Sequence, residues 1–389
     1  MLREKLAISE LKMGIISGGQ LGKMLIQEAS RWAIATYVLD PDPDCPAKRI
    51  ATEHIVGDFL DFDTVYTFGT KVDILTYEME NINVEALLQL KADGYEVVPD
   101  PSILALIQDK GAQKEFYRSH GIPTSSFRCY ENQTEITQAI DSGEISYPFV
   151  QKLRRGGYDG RGVAVIKSVD DTLLEGACVV EEMVDVAKEI AVIVARNTQG
   201  QVSCFPAVEM TFDESTNLVE DLFCPANITL QEQKSATDIA MNIIEALGMM
   251  GLLAVEFFID KNGNLLVNEV APRPHNSGHH TIDAMMTSQL EQMLRAILGL
   301  PLGSTKIIMP SVMLNLLGEE GHTGEVYYEG LEEVLSLEGV KVHLYGKRQT
   351  RPARKMGHVT VLAKSLEEAF EKAERVKQIL KVKSCQKQL

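Results

Sequence analysis

Two glutamates in the second half of the chain could hold a divalent cation. Glu256 lies in the apolar run LLAVEFFID and Glu269 in the run NLLVNEV, and the intervening Asn262-Gly263 is typical of a two-residue hairpin turn. A turn centred there places the two glutamates opposite each other, where carboxylates repel at a cost of up to about 1 kcal/mol. Mg²⁺, which prefers oxygen ligands, would reverse that repulsion. The alternative is a solvated sheet face with a proton or a lysine between the acids.

The residues that follow the hairpin add hydrogen-bonding groups beside these acids. Asn268 is a further candidate ligand, although strict alternation along a strand places it on the opposite face. In the loop APRPHNSGHH, Arg273 is suited to an anion, and His275 and Asn276 can donate or accept hydrogen bonds. The histidines also suggest zinc, but the remaining ligands with zinc-like spacing are missing.

Two basic segments could bind phosphate. Residues 151–162, QKLRRGGYDGRG, place four glycines and four cationic side chains between two predicted strands. Residues 345–358, YGKRQTRPARKMGH, carry five basic side chains, which form either a receptor for a phosphate ester or a solvated loop. Because the formal net charge is −17, any anionic ligand must meet such a local cluster.

The N-terminal segment GIISGGQLGKM permits a different chemistry. Its glycines lie between a predicted strand and helix, and Asp40 follows about twenty residues later, where dinucleotide-binding proteins carry a ribose-binding acid. A nicotinamide-dependent oxidoreductase is therefore one interpretation, and a tight turn without a cofactor is the other. Glu78 ends a predicted parallel strand, a usual position for ligand contacts or simply a strand terminus. The segment VVEEMVDVAKE is either a nucleotide-facing strand or a hinge.

The elements that position these residues predict an α/β and α+β protein. Short apolar runs alternate with helices up to about residue 108, which indicates a parallel sheet over 1–108, with EVVPD as its last strand. A small α+β unit with the glycine loop follows over 109–185. A larger α+β domain covers 186–389, with one helix near 282–297 and a final helix whose apolar stripe caps a core.

The bulk properties exclude several classes of protein. With 55 acidic against 38 basic residues, the chain is unsuited to nucleic acid or anionic membranes, and it has no apolar segment of about 18 residues that could span a bilayer. Six scattered cysteines without a CxxC pair indicate reduced thiols. We expect a cytoplasmic protein.

Seven segments of the chain, taken in order, resemble the 5-(carboxyamino)imidazole ribonucleotide synthases of the ATP-grasp superfamily. They are GGQLGKM, LDPDPDCPA, TYEMENI, GGYDGRG, VEFF, NEVAPRPHNSGHH and RKMGHVTVL. The resemblance implies an ATP-grasp fold with a pre-ATP-grasp domain, a lid and a larger C-terminal domain. It implies the ATP-dependent carboxylation of 5-aminoimidazole ribonucleotide by bicarbonate through carboxyphosphate, in de novo purine biosynthesis. It also implies ATP and Mg²⁺ as cofactors and a homodimer. The labile product could pass to the downstream mutase either by a transient contact or by diffusion, and the sequence leaves both open.

The resemblance assigns residues to each ligand. Mg²⁺ would be held by Glu256 and Glu269. The bicarbonate and its phosphorylated form would meet Arg273, His275 and Asn276, which with Lys355 would be the catalytic residues. The ribonucleotide would meet Glu78, Tyr158, Asp159, Arg161, Lys347, Arg354 and Lys355. ATP would meet Lys110, Lys152, Gly157, Tyr158, Asp159, Gly160, Glu181, Glu182, Val184, Glu189, Phe212, Asn268 and Glu269.

Two positions depart from the family pattern. Phe212 stands where the family often has histidine, and Asn227 stands where it often has arginine, which affects nucleotide affinity sooner than reaction type. Other ATP-grasp ligases, an oxidoreductase and a catalytically silent ATP-binding regulator are the alternatives. The HNSGHH and YDGRG segments favour the synthase, and the retained Lys110, Lys152, Glu256 and Glu269 argue against a silent regulator.

Overall fold

The computed structural model describes residues 8–156, 162–212 and 219–385, with the backbone alone at 212, 219 and 220. Within these ranges the strands form four sheets: one four-stranded sheet in each of the first two units, and a nine-stranded and a three-stranded sheet in the rest of the chain. The structure confirms the mixed α/β class predicted from the alternating apolar runs.

The N-terminal unit is a four-stranded parallel sheet in the order β3-β2-β1-β4. After a 3-10 turn at Ile8–Glu10, its elements are β1 (Lys12–Ile16), α1 (Gln20–Ser30), β2 (Ala35–Asp40), β3 (Glu53–Val56), α2 (Phe62–Gly69), β4 (Ile74–Tyr77), α3 (Val84–Ala92) and α4 (Pro101–Ile107). The sequence did not predict β3, and the predicted strand at EVVPD forms only a single bridge between Val97 and Leu75.

The middle unit is a four-stranded antiparallel sheet in the order β5-β8-β6-β7. Its elements are α5 (Lys110–Ser119), β5 (Phe127–Tyr130), α6 (Gln133–Asp141), β6 (Phe149–Leu153), β7 (Val163–Ile166) and β8 (Cys178–Glu182). As predicted, β6 and β7 flank the glycine-rich loop. The predicted domain boundaries at 108/109 and 185/186 stay a proposal, compatible with β8 ending at Glu182 and the next strand beginning at Val186.

An antiparallel sheet forms the body of the remaining chain, in the order β14-β13-β9-β11-β12-β15-β19-β17 with β10 paired to β9. Its first part contains β9 (Val186–Arg196), β10 (Val202–Cys204), β11 (Val208–Phe212), β12 (Val219–Cys224), α7 (Leu230–Ala246), β13 (Gly251–Asp260), β14 (Leu265–Ala271), a 3-10 turn (Asn276–Gly278), α8 (Thr281–Ala284) and α9 (Gln289–Ile297). The second part of this region contains β15 (Ser311–Leu317), β16 (Gly324–Glu329), α10 (Leu331–Leu335), β17 (Val340–Leu344), β18 (Gln349–Thr350), β19 (Lys355–Leu362), α11 (Leu366–Ile379) and β20 (Lys381–Ser384). Of these strands, β16, β18 and β20 form a separate three-stranded sheet in the order β18-β16-β20.

Two helices predicted from the sequence in this region can be compared with the structure. The single helix predicted near 282–297 is wrong: α8 ends at Ala284, and Ser288 caps a new helix, α9, by accepting the Glu291 amide. The final helix is confirmed, because Ala369, Ala373 and Val376 of α11 are buried in a core formed with β15, β17 and β19.

Candidate active site

The two glutamates of the β13–β14 hairpin pair as predicted, but the loop that joins the strands differs from the predicted one. Glu256 of β13 lies opposite Glu269 of β14, as expected. The predicted two-residue turn is wrong, however, because Asp260 pairs with Asn264 and the loop holds three residues, ending at Gly263 with φ +81°. The extra loop residue shifts the register by one, and a β-bulge restores it between Phe257 and Glu256.

This bulge also explains how Asn268 reaches the site. Phe257 pairs with Val267 and Glu256 with Glu269, so Asn268 is the extra residue. A bulge turns the strand locally and breaks strict alternation. Asn268 Oδ1 accepts a hydrogen bond from Lys152 Nζ at 3.0 Å, and Glu269 Oε2 accepts one from Lys110 Nζ at 3.0 Å. Two consecutive side chains of β14 therefore meet lysines of the same cleft.

Three carboxylates lie on this face of the large sheet. Burial raises the pKa of Glu256 to about 8, and the nearby charges of Glu269 and Glu189 add to the rise. Burial likewise raises the pKa of Glu189 to about 7. Burial also opposes ionisation of Glu269, but its carboxylate is 45% exposed to the cleft and the Lys110 ammonium lowers its pKa. Glu269 is therefore the ionised member of the facing pair.

His275 links the loop after the hairpin to Glu256. Burial lowers the pKa of His275 to about 3, so its imidazole is neutral. Its Nδ1 accepts the Ser277 amide at 3.3 Å, which caps the 3-10 turn at Asn276–Gly278. We therefore assign the ring proton to Nε2, which lies 3.3 Å from Glu256 Oε1 and can donate to it.

A second cluster of charges lies beneath the two cleft lysines. Lys152 Nζ is 3.0 Å from Glu181 Oε1, and Lys114 Nζ is 3.1 Å from Glu181 Oε2. Ser125 Oγ donates to the same carboxylate at 2.6 Å. Lys114 and Ser125 are not among the site residues predicted from the sequence. The signal for Lys114 was its position one helical turn after Lys110, on the same face of α5.

The root of the glycine-rich loop is fixed to the start of α5. Asp109 caps that helix by accepting the Gly111 and Ala112 amides. The same carboxylate accepts Arg154 Nε at 2.9 Å and Nη2 at 2.8 Å, a bidentate pair. The Lys110 amide in turn donates to the Arg154 carbonyl at 2.9 Å. These bonds fix Lys110 relative to the strand that carries Lys152.

The N-terminal glycine turn is held by two buried carboxylates. Glu78 Oε1 accepts Ser17 Oγ at 2.7 Å and the Gly19 amide at 3.0 Å, and burial raises its pKa to about 7. Asp40 accepts the Gly18 amide on one oxygen and the Asp42 amide on the other. Because both Asp40 oxygens bind the backbone, the evidence for a ribose-binding acid, and for an oxidoreductase, is lost.

Of the basic residues of the C-terminal region, Lys347 and Lys355 contact each other and Lys355 lies near His275. Lys347 Nζ donates to the Lys355 carbonyl at 2.8 Å and lies 5.6 Å from the centre of the Tyr345 ring. Lys355 is close enough to His275 for its charge to help lower the pKa of that histidine. From the N-terminal unit, Lys23 Nζ donates to the Tyr345 carbonyl at 3.2 Å. Arg354 donates to the Gln349 carbonyl at 2.6 Å.

Arg273 is positioned by an acid that the sequence analysis did not single out. Its Nε lies 2.8 Å from Glu80 Oε1 and its Nη1 donates to the Pro274 carbonyl. Its charge lowers the pKa of His275 and opposes the rise in the pKa of Glu78. Arg273 therefore stands between the hairpin loop and the N-terminal glycine turn.

The remaining predicted site residues fall into two groups. Glu182 is exposed, and Val184 and Asn276 are half-buried. The side chain of Phe212 lies outside the described part of the structure, as do the whole residues Gly157, Tyr158, Asp159, Gly160 and Arg161. In the ranges that the structure covers, no helix is both long enough and apolar enough to cross a membrane.

Three segments of the chain match domains of known protein families. Residues 11–108 match the ribonucleotide synthetase preATP-grasp domain, 115–290 the ATP-grasp domain, and 311–372 the phosphoribosylaminoimidazole carboxylase C-terminal domain. N5-carboxyaminoimidazole ribonucleotide synthase of Bacillus subtilis is 39% identical over 357 residues, which cover 90% of this chain and 91% of that protein. This chain belongs to the N5-carboxyaminoimidazole ribonucleotide synthase family.

Solved structures of this family share the fold. The crystal structure of N5-carboxyaminoimidazole ribonucleotide synthetase from Thermotoga maritima has 45% identity and a TM-score of 0.89, covering 96% of this chain and 100% of that one. The Aspergillus clavatus N5-carboxyaminoimidazole synthase, solved with ADP and 5-aminoimidazole ribonucleotide, has 31% identity and a TM-score of 0.86, covering 95% and 98%. The predicted family and ATP-grasp fold are confirmed.

Some relatives in this family are longer. The chloroplastic phosphoribosylaminoimidazole carboxylase of Vigna aconitifolia is 38% identical over 368 residues, which cover 92% of this chain. The chain spans 65% of the length of that protein.

Proposed function

We propose that the protein carboxylates 5-aminoimidazole ribonucleotide with bicarbonate, at the expense of ATP, to give N5-carboxyaminoimidazole ribonucleotide, ADP and phosphate in de novo purine biosynthesis. The observation that carries this proposal is the facing pair Glu256 and Glu269, with Lys110 on one acid and His275 on the other. The support from relatives is the Aspergillus clavatus synthase, whose structure contains ADP and the same ribonucleotide.

ATP would bind between the hairpin and the lid. Lys110 and Lys152 approach each other from two different elements, and both point into the cleft beside Glu269 and Asn268. Their positive charges suit the phosphates. Glu181, Glu182, Val184, Glu189, Phe212 and the glycine-rich loop complete the proposed nucleotide contacts.

The donor set fits Mg²⁺. Two facing carboxylates, one of them raised in pKa by burial and by its neighbour, form a site whose repulsion a divalent cation relieves. Within the described residues they are not part of a cluster of three or more His, Cys, Asp or Glu ligands. This is the expected pattern for Mg²⁺, which takes one or two carboxylates and fills its shell with phosphate oxygens and water. When bound, Mg²⁺ supplies neutralisation of charge on the transferring phosphoryl group.

Bicarbonate would bind between the hairpin loop and Lys355. Arg273, held by Glu80, would bring the positive charge of its guanidinium to the anion. His275 is neutral, so it orients by hydrogen bonding and keeps Glu256 in place, and does not act as a charged ligand. Asn276 follows directly in the 3-10 turn. Attack of a bicarbonate oxygen on the γ-phosphorus of ATP would give carboxyphosphate and release ADP.

The ribonucleotide would bind between the N-terminal glycine turn and the C-terminal basic residues. Glu78 would contact the ribonucleotide from one side, and Lys347, Arg354 and Lys355 would receive its phosphate. Tyr158, Asp159 and Arg161 of the glycine-rich loop would add further contacts. Carboxyphosphate would break its C–O bond to give CO₂ and phosphate, and the exocyclic amine would attack CO₂. A closed lid would keep water from carboxyphosphate.

Family membership supports three further proposals. The enzyme would act as a homodimer, in the cytoplasm, and would pass its labile product to the downstream mutase. No step of these proposals involves a membrane or nucleic acid.

An isotope experiment tests the proposed route. In this scheme one bicarbonate oxygen stays on phosphorus when the C–O bond of carboxyphosphate breaks. With ¹⁸O-labelled bicarbonate, the released phosphate should therefore carry one ¹⁸O per turnover, measured by ³¹P NMR. Unlabelled phosphate formed together with product would show that free CO₂ is used without phosphorylation of bicarbonate.

A further inference from the structure

Lys114 is a cation sealed beneath the cleft, where no ligand can touch it. Its side chain is 2% exposed. Its Nζ lies 2.6 Å from Thr124 Oγ1, 3.0 Å from Ser125 Oγ and 3.1 Å from Glu181 Oε2, which accounts for all three ammonium donors. A charge buried this deeply is costly unless it is paired, so these contacts are specific.

Glu181 has two cationic partners with different access to the cleft. Lys114 is sealed, whereas Lys152 is 12% exposed and also contacts Asn268. A nucleotide phosphate would draw Lys152 towards itself and weaken its pairing with Glu181. The Glu181 carboxylate, 4% exposed, then depends on Lys114 for its remaining counter-charge.

Lys114 also supports the bulge that presents Asn268. Thr124 Oγ1, its nearest partner, donates to the Val267 carbonyl at 2.7 Å. The Val267 amide donates to the Pro123 carbonyl at 2.8 Å. Val267 directly precedes the bulged residue, so a chain of two hydrogen bonds joins Lys114 to the strand that carries Asn268 and Glu269.

We propose that Lys114 is a positioning residue for the nucleotide phosphates: it neutralises Glu181 so that Lys152 is released to bind phosphate, and it braces the Asn268 bulge. This inference rests on the proposed function in one respect, that the phosphates belong to ATP. It assigns Lys114 no contact with ATP, bicarbonate or the ribonucleotide.

The test compares ligand affinities of the full-length protein and two variants by calorimetry. In Lys114→Met, Glu181 retains Lys152 as its single lysine partner, so Lys152 is less available to phosphate. We expect the Kd for MgADP to rise about 10- to 100-fold, the range typical of residues that orient direct ligands. The Kd for adenosine and for 5-aminoimidazole ribonucleotide should stay within about twofold, because neither depends on the nucleotide phosphates.

Lys114→Gln separates charge from hydrogen bonding and guards against misfolding of the Met variant. It keeps donors for Thr124 and Ser125 without the positive charge, and we expect it to lose MgADP affinity as Lys114→Met does. Lys234→Met, at a lysine 70% exposed that pairs with Asp238, is the matched control and should bind all three ligands normally. MgADP affinity unchanged in Lys114→Gln, or equal losses for ADP and adenosine, would overturn the proposal.

The parent protein separates this proposal from the proposed function. If the parent releases ADP only with the ribonucleotide, but the Lys114 variants bind MgADP normally, the role of Lys114 is wrong and the function stands. If the parent shows no ribonucleotide-dependent release, the function is wrong, and the MgADP affinities still decide the role of Lys114.

Discussion

Asn268 and Glu269 are consecutive residues of one strand, yet both contact lysines of the same cleft, because a β-bulge interrupts the alternation between them. The bulge has a second effect. It offsets a hairpin loop one residue longer than a two-residue turn and so brings Glu269 opposite Glu256. A single backbone irregularity therefore creates both the facing acids and their adjacent amide, as is common for bulges beside active sites.

The two hairpin acids should respond differently to the same substitution. Glu256→Gln removes a carboxyl that burial and the charges of Glu269 and Glu189 keep from ionising, so it should raise the free energy of unfolding near neutral pH, without metal, by on the order of 1 kcal/mol. Glu269→Gln leaves Lys110 without its carboxylate and should not stabilise the protein. Both should lower kcat at least about a hundredfold, because each removes a proposed ligand of the Mg²⁺ that neutralises charge on the transferring phosphoryl group. Denaturant unfolding in EDTA and steady-state kinetics measure these effects, and turnover near the parent value in either variant would mean that the acids are structural.

Substitution of Lys347, with its neighbour Arg348 as the control, tests the proposed ribonucleotide site. Lys347→Ala should raise KM for the ribonucleotide about 10- to 100-fold, the worth of a hydrogen bond to a charged group, with KM for ATP nearly unchanged. Arg348→Ala is the control, since its guanidinium is 63% exposed and lies 3.4 Å from Asp44 at the surface. Equal increases in both KM values for Lys347→Ala would place this lysine outside the phosphate site.

Glu78 should make stability depend on pH. Burial raises its pKa from 4.5 to about 7, so the folded protein holds this proton more tightly than the unfolded chain. Its contribution to stability is therefore favourable below about pH 4.5 and is lost as pH rises through 7. Glu78→Gln should stabilise the protein relative to the parent by on the order of 1 to 3 kcal/mol more at pH 8 than at pH 5.

The measurement is denaturant unfolding of the two proteins across this range of pH. Glu115→Gln, at a carboxylate 55% exposed on the surface, is the control and should change stability little at either pH. A difference between Glu78→Gln and the parent that is the same at pH 5 and pH 8 would show that Glu78 is ionised throughout.

Short-range signals in the sequence were sufficient for many of the elements and for the acid pair, but not for β3 or for the break between α8 and α9. The Asn262-Gly263 turn signal and the apolar runs on either side of it predicted the pairing of Glu256 with Glu269, although the loop length was wrong. A compensating bulge cannot be read from alternation, since it depends on how β14 meets the Pro123–Thr124 segment. Similarly, Asp40 matched a ribose-binding pattern, and only its hydrogen bonds to Gly18 and Asp42 revealed a structural role.

Contacts between distant segments could not be predicted from residue type. Lys114 and Glu181 are 67 positions apart, as the residue numbers show, and each alone is an ordinary charged residue of a helix or a strand. Their burial as a pair is set by how α5 packs on β8. The same holds for Arg273 with Glu80 and for Arg154 with Asp109.

The release of ADP in bicarbonate buffer, with and without 5-aminoimidazole ribonucleotide, tests the central claim most directly. ATP, Mg²⁺ and the parent protein are held constant, and ADP is followed by a coupled assay. We predict ADP formation that requires the ribonucleotide and that Glu269→Gln abolishes. ADP release at the same rate without the ribonucleotide, or persisting in Glu269→Gln, would contradict the assignment of this site to ribonucleotide carboxylation.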